Sequence, residues 1–183
     1  MKELSLNVLD IAMNSVKAGA KNILIKLTEA DAKLTLIIED DGCGMSKETV
    51  ENVMNPFYTT RTTRSVGLGV PLLKLAAEQT GGEISIKSVS EKDNPLEHGT
   101  TVTAVFYTDH LDFTPVGDII STVTTLIQGS PSIDWRFEHS LEGGNVELDT
   151  KQLREILGDV PLDNFEVIKW IEEYLKEGYA SVS

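Results

Sequence analysis

Asp40-Asp41-Gly42-Cys43-Gly44-Met45 is the stretch whose reading decides the fold. It follows the apolar, strand-like run Leu34-Thr35-Leu36-Ile37-Ile38 and precedes Ser46, which is suited to cap a helix. A plain turn does not require a carboxylate at the strand end followed by two glycines one residue apart. Asp40 can accept a hydrogen bond from an exocyclic amine such as that of adenine. Gly42 and Gly44 let the backbone approach a flat ring or phosphates without Cβ obstruction. Taken alone, the hexapeptide fits a glycine-rich strand-to-helix turn equally well, so its neighbours decide.

Upstream, residues 3–18 predict an amphipathic helix. Leu6, Leu9, Met13 and Val16 recur at spacings of three and four as its apolar stripe, with Ala12 nearby, while Asp10, Asn14 and Lys17 share another face. Gly19 is placed to end it. Strands are expected at 22–28 and 33–39, joined by a turn around Ala30-Asp31-Ala32, with Ile23, Ile25 and Leu27 on one face. Downstream, a short helix over 46–54 ends at Asn55-Pro56. Residues 57–65 are Thr-rich, basic and without period, as in a loop. Val66-Gly67-Leu68-Gly69-Val70 opens a second helix, 72–79, closed by Gly81-Gly82, and strands follow at 83–89 and 100–107.

After about Thr108 the organisation starts afresh. A helix is expected over 115–128, strands at 132–139 and 145–148 around Gly143-Gly144, and a helix from Asp149/Thr150 to 157. The last helix, 163–177, carries Phe165, Ile168, Ile171, Tyr174 and Leu175 as its buried stripe. The break coincides with a change of charge. Residues 1–109 hold 11 Lys/Arg against 15 Asp/Glu, whereas 110–183 hold 5 against 14. The net charge of −13 argues against nonspecific nucleic-acid binding and against docking on an anionic membrane. With 40% hydrophobic and 25% charged residues, the 183-residue chain is globular in composition. Cys43 is the only cysteine, no apolar signal core opens the sequence and no run spans a bilayer, which together predict a cytoplasmic protein.

Three pieces can carry chemistry. Asp10 and Asn14 lie one helical turn apart. An Asn carbonyl is a hard oxygen ligand suited to Mg²⁺, and a carboxylate one turn earlier could deprotonate a nucleophile, although such a stripe is ordinarily just a wet helix face. Arg61 and Arg64 lie among several hydroxyls. Gly67-Leu68-Gly69 leads into a helix N-terminus, whose free amides and dipole attract anions. It is not a P-loop, because no Gly-Lys-Ser/Thr follows.

Together and in this order, the pieces resemble the GHKL superfamily, the ATPase fold of histidine kinases, gyrase, MutL and the heat-shock chaperone ATPases. Residues 9–20, Leu9-Asp10-Ile11-Ala12-Met13-Asn14 onward, resemble its N box, and the opening hexapeptide resembles its first glycine box. Asn55-Pro56-Phe57-Tyr58-Thr59-Thr60-Arg61 resembles the F box of kinases, Ser65-Val66-Gly67-Leu68-Gly69-Val70 the second glycine box, and Gly99-Thr100-Thr101-Val102 the late Gly-Thr strand entry. The resemblance covers residues 3–107. It implies an α+β fold: a two-layer Bergerat-type α/β sandwich with a mixed sheet covered on one face by helices. On that reading residues 1–108 are the ATP-binding domain and 109–183 an acidic α/β extension that serves a partner or regulation.

The same resemblance implies roles. Asn14 would ligate Mg²⁺, and Asp10 would stand as the catalytic general base. Asp40 would accept the adenine amino group, with Thr100 approaching the same ring. Lys17, Arg61 and the amides of Gly67, Leu68 and Gly69 would meet the phosphates; Gly42, Gly44, Met45 and Phe57 complete the implied nucleotide set. The chain departs from the family at three points: Asp10 is one methylene shorter than the usual Glu, Ser65 replaces a glycine, and the lid segment 58–66 is very short. The family's first strand is also missing, and a C-terminal strand such as 132–139 is expected to fill that edge.

His98, His110 and His139 are followed by Gly, Leu and Ser rather than an acidic residue, and none lies on a long helix ahead of the ATPase boxes. A self-sufficient histidine kinase is therefore not expected. Three functions stay open: a stand-alone Mg²⁺- and ATP-dependent switch with slow hydrolysis, a serine/threonine kinase acting in trans like the anti-sigma kinases, and a nucleotide-gated interaction protein without catalysis. More loosely, the whole length, including 111–117 and 147–157, resembles small ATP-binding proteins encoded near iron-only hydrogenases. That likeness implies a redox-linked protein partner.

Overall fold

In the computed structural model, which describes residues 3–55 and 68–183, alternation builds the sheet. β1 (Asn22–Ala30) buries Ile23, Ile25 and Leu27, and β2 (Lys33–Asp40) buries Leu34, Leu36 and Ile38 on the same face. Their turn places Asp31 and Ala32 at φ of 54° and 59°, the left-handed pair whose twist suits a two-residue hairpin. β3 (Glu83–Val89), β4 (Gly99–Tyr107), β5 (Asp134–Leu141) and β6 (Gly144–Asp149) complete six strands in the order β3-β4-β2-β1-β5-β6. All neighbours are antiparallel except β1 and β5, which run parallel with Asn22 opposite Asp134 and Thr28 opposite Ser140. As expected, the C-terminal part thus supplies the strand beside β1.

Helices α1 (Leu4–Lys17), α3 (Gly69–Gln79), α4 (Ile119–Gly129) and α6 (Phe165–Val182) cover the apolar face. Two shorter helices, α2 (Lys47–Val53) and α5 (Thr150–Leu157), are capped by the side chains of Ser46 and Asp149. One apolar core runs through residues from both sides of the composition break: Ile25 lies opposite Phe137, and α4 packs on both α1 and α6.

Three sequence expectations are corrected. α1 buries Leu4, Val8, Ile11, Ala12 and Ser15, whereas Leu6 and Met13 are 45% and 37% exposed. The expected stripe has the right period but the wrong phase, because α1 packs on the sheet, α3 and α4 at once and needs a wider buried arc. Residues 115–118 are not helical. The Pro115 and Val116 carbonyls instead accept hydrogen bonds from the Leu4 and Ser5 amides, both at 2.8 Å, satisfying the free N-terminus of α1. α4 begins at Ile119, four residues after the expected start, capped by Asp118 accepting from the Ser121 amide. In α6 the buried residues are Val167, Ile171 and Leu175, while Phe165 and Tyr174 are 75% and 44% exposed.

Candidate functional site

Strand register assembles the site. Asp40 lies opposite Ile23 on β1 and opposite Thr100 on β4, and Thr100 lies opposite Ser88 on β3. These residues continue the inward rows of the buried Ile38 and Val102 and the partly buried Ile86 by one step, so their side chains emerge on the helix-covered face just where the cover ends. There a cavity of about 290 Å³ opens between α1 and the sheet, with Asn14, Lys17, Asp40, Gly44, Met45 and Thr100 in its wall beside Ile11, Val70 and Val102. A wider groove of about 1440 Å³ continues past Gly42 and Cys43 toward the loop before β4.

The Asp40 carboxylate is fixed from two sides. The buried Ser15 hydroxyl donates to Oδ2 at 2.6 Å, and the Gly42 amide donates to Oδ1 at 2.9 Å. Thr100 is held in turn by Ser88, whose hydroxyl lies 2.8 Å from that of Thr100 and accepts from the Met45 amide at 2.7 Å. Ser15 and Ser88 were not foreseen from the sequence. The spacing from Ile11 to Ser15, one turn, was the available signal for Ser15.

Asp41 has a different task. Its carboxylate accepts from the Lys21 amide at 2.8 Å, the Asn22 amide at 3.0 Å and Asn22 Nδ2 at 2.8 Å, tying the loop to the start of β1. Partial burial works to raise its pKa, but these hydrogen bonds together outweigh that and hold it below the ordinary Asp value. The glycines also serve the protein's own packing. A Cβ at Gly42 would stand 2.8 Å from that of Ala18, and Gly44, at φ +69°, lies so close to the Val89 carbonyl that a Cβ there would overlap it. Gly42 backs Asp40 rather than lining the smaller cavity, and its carbonyl accepts from His98 Nδ1.

Asp10 is exposed, one turn before Asn14. The buried Gly69 at the start of α3 packs directly on it, since a Cβ there would come within 3.2 Å of the Asp10 Cβ. Leu68, the N-cap residue of α3, offers no side-chain acceptor, which leaves the positive helix end beside Asp10. α3 itself begins at Gly69, three residues before the sequence expectation. Phe57, Arg61 and Gly67 lie outside the described residues.

At the far end of the same sheet face lies a second polar cluster. His139 is 3% exposed; its Nε2 lies 2.7 Å from Glu29 Oε2 and its Nδ1 2.6 Å from the Tyr179 hydroxyl, which joins β1, β5 and α6. Burial, with the Glu29 carboxylate close by, pushes the Tyr179 phenol well above its usual pKa.

Residues 1–110 match the family described as histidine kinase-, DNA gyrase B- and HSP90-like ATPases, so the chain belongs to that family. It is similar to the signal transduction histidine-protein kinase AtoS of Escherichia coli, 28% identical over 89 residues, which is 49% of this chain and 14% of that protein. It is also similar to the sensor protein SrrB of Staphylococcus aureus, 32% identical over 93 residues, 48% of this chain and 16% of that protein. The match therefore spans about a sixth or less of those relatives' own length. In fold it resembles the Aquifex aeolicus MutL ATPase domain complexed with ADP, with a TM-score of 0.54 and 11% identity over 94% of this chain and 88% of the other. A second likeness, to the N-terminal domain of a DNA repair protein, has a TM-score of 0.56 and 16% identity over 86% and 57%. Among the described residues no helix is long and apolar enough to cross a membrane.

Proposed function

We propose that this chain binds ATP with Mg²⁺ in the cavity between α1 and the sheet, and that the bound nucleotide sets a surface read by another protein in the cytoplasm. The observation that carries this reading is the Asp40 carboxylate, oriented by Ser15 and the Gly42 amide and facing a cavity that Thr100 shares. A half-buried acceptor held in place at an apolar-walled pocket is what recognition of a ring amine requires. Asn14 in the same wall fits a cation that takes oxygen ligands and arrives with phosphate oxygens and waters. Mg²⁺ would neutralise phosphate charge there.

Asp10 would take the proton of an attacking water, giving slow hydrolysis. Because Asp10 is exposed, the hydroxyl of another protein could also reach it, and this keeps transfer in trans as a second reading. The redox-linked character of the partner rests on the sequence resemblance, and residues 109–183 are the region assigned to meet it.

Incubation with γ-labelled ATP, with and without cell extract, separates the outcomes as free phosphate, labelled polypeptide or intact ATP. Asn14→Ala should remove the Mg²⁺-dependent part of ATP affinity while leaving the melting temperature unchanged. Affinity that still responds to Mg²⁺ in that variant takes Asn14 out of the site.

A further inference from the structure

The α5–α6 side of the molecule presents a feature that the nucleotide site does not use. Between these helices and the edge strand β6 lies a groove of about 280 Å³. Its floor is apolar, with Phe137, Leu148 and Leu153 at 2%, 6% and 6% exposure. Its walls are Ile156 at 82%, Trp170 at 48% and Tyr174 at 44% exposure, with the two aromatic rings stacked at 5.1 Å and 16°. Trp170 and Tyr174 sit one helical turn apart, just outside the buried stripe of Val167, Ile171 and Leu175. α6 therefore has a second apolar face with no partner among the described residues, while its first is already packed. Large aromatics in a preformed pocket are the side chains that dominate binding energy at protein interfaces.

Charge decides between occupants. Glu147 and Asp149 line the groove, and Arg136, its only cation among the described residues, is committed to Glu138 at 3.4 Å and Asp149 at 3.5 Å. From Glu142 to the last residue the chain has ten Asp/Glu and four Lys/Arg. Of those four, Arg154 is paired with Asp134 and Lys176 with Glu172. A second copy of the chain would bring acid against acid. Nucleic acid and anionic lipid are repelled for the same reason.

We infer that the groove bounded by Trp170, Tyr174 and Ile156 is a docking site for a basic amphipathic helix of another protein. The helix would seat its apolar residues on the stacked rings and direct its Lys or Arg side chains toward Glu147 and Asp149. This inference stands independently of the nucleotide reading.

The test uses the full chain and three synthetic helical peptides of equal length. One is built from Leu and Lys, one from Leu and Glu, and one from Gln and Lys with the charge of the first and no apolar face. Tryptophan emission reports the contact, because Trp135 is buried and donates Nε1–H to the Ser130 carbonyl, leaving Trp170 as the half-exposed reporter. The Leu/Lys peptide should bind saturably, shift the emission to the blue and weaken as salt is added. Read by titration calorimetry, because the substitution removes the emission reporter, Trp170→Ala with Tyr174→Ala should weaken it by about tenfold or more. Ile156→Ser, at a side chain too exposed to hold the fold, keeps the test available should the double variant fold poorly. Glu147→Gln with Asp149→Asn should weaken binding and flatten its salt dependence. Equal binding of the Gln/Lys or Leu/Glu peptide overturns the inference, as does undiminished affinity in both groove variants. A Trp170 shift produced instead by phosphatidylserine vesicles or by self-association also overturns it.

Discussion

Replacing Asp40 by Asn changes one atom and removes one charge, and the geometry says where the effect falls. Oδ1 faces the Gly42 amide at 2.9 Å and must remain an oxygen, so the new amide nitrogen takes the place of Oδ2, 2.6 Å from the Ser15 hydroxyl. That hydroxyl can turn to accept instead of donate. Both internal hydrogen bonds survive, and the fold should lose no more than about 1 kcal/mol. The ligand meets a different surface: the carboxylate charge is gone, and one of its two acceptors has become a donor. A hydrogen bond to a charged acceptor contributes about 1.5–3 kcal/mol, so ATP should bind roughly 10–150-fold more weakly. Inorganic triphosphate, which has no base, should be affected by no more than about twofold. Titration calorimetry with both ligands at fixed Mg²⁺, alongside a thermal melt, reads all three quantities. Equal losses for ATP and triphosphate would refute the assignment of Asp40 to the base, and so would unchanged ATP binding.

Other substitutions probe the scaffold. Gly44→Ala forces a side chain into left-handed backbone against the Val89 carbonyl; it should cost more than about 2 kcal/mol and lower the melting temperature by roughly 5–10 °C. Asp41→Asn tests linkage. A carboxyl held below its ordinary value contributes stability that is present above the unfolded-state pKa near 3.9 and is lost as pH falls through the folded-state value. The variant should thus be less stable than the parent at neutral pH, by about 1 kcal/mol after allowance for solvent screening, and the gap should close below about pH 4. Tyr179→Phe leaves the buried His139 Nδ1 without its hydrogen-bond partner and should cost about 1–2 kcal/mol in urea unfolding. In alkaline titration of the parent, one of the four tyrosines should resist ionisation until the chain unfolds.

Much of the sheet was legible because alternation with period two has only two phases, and Ile23, Ile25 and Leu27 leave no choice between them. Helices were less forgiving. Leu6, Leu9, Met13 and Val16 make a valid stripe, yet α1 is contacted from three directions and its buried arc centres on Val8, Ile11 and Ser15. In α6 the same error recurs, counting Phe165 and Tyr174 as core when they face outward. The place of Asp40 in the wall could be argued from its strand end. Its orientation could not, because it depends on a serine twenty-five residues away in sequence. The glycines of the hexapeptide were assigned to ligand approach, but Gly44 answers first to the Val89 carbonyl, a tertiary contact with no local signature.

The parallel pairing of β1 with β5 also has a consequence for how the chain comes off the ribosome. β1 is complete within the first thirty residues, but the strand that closes its free side ends at Leu141. At typical elongation of ~5–20 residues per second, β1 waits roughly 6–20 s for that neighbour. Until it arrives, the Ile23–Leu27 segment offers an open edge to any other strand nearby. A fragment cut at residue 108 would hold that edge open permanently. Such a fragment should aggregate even though it retains every nucleotide box, and a nascent chain stalled there should be a chaperone client.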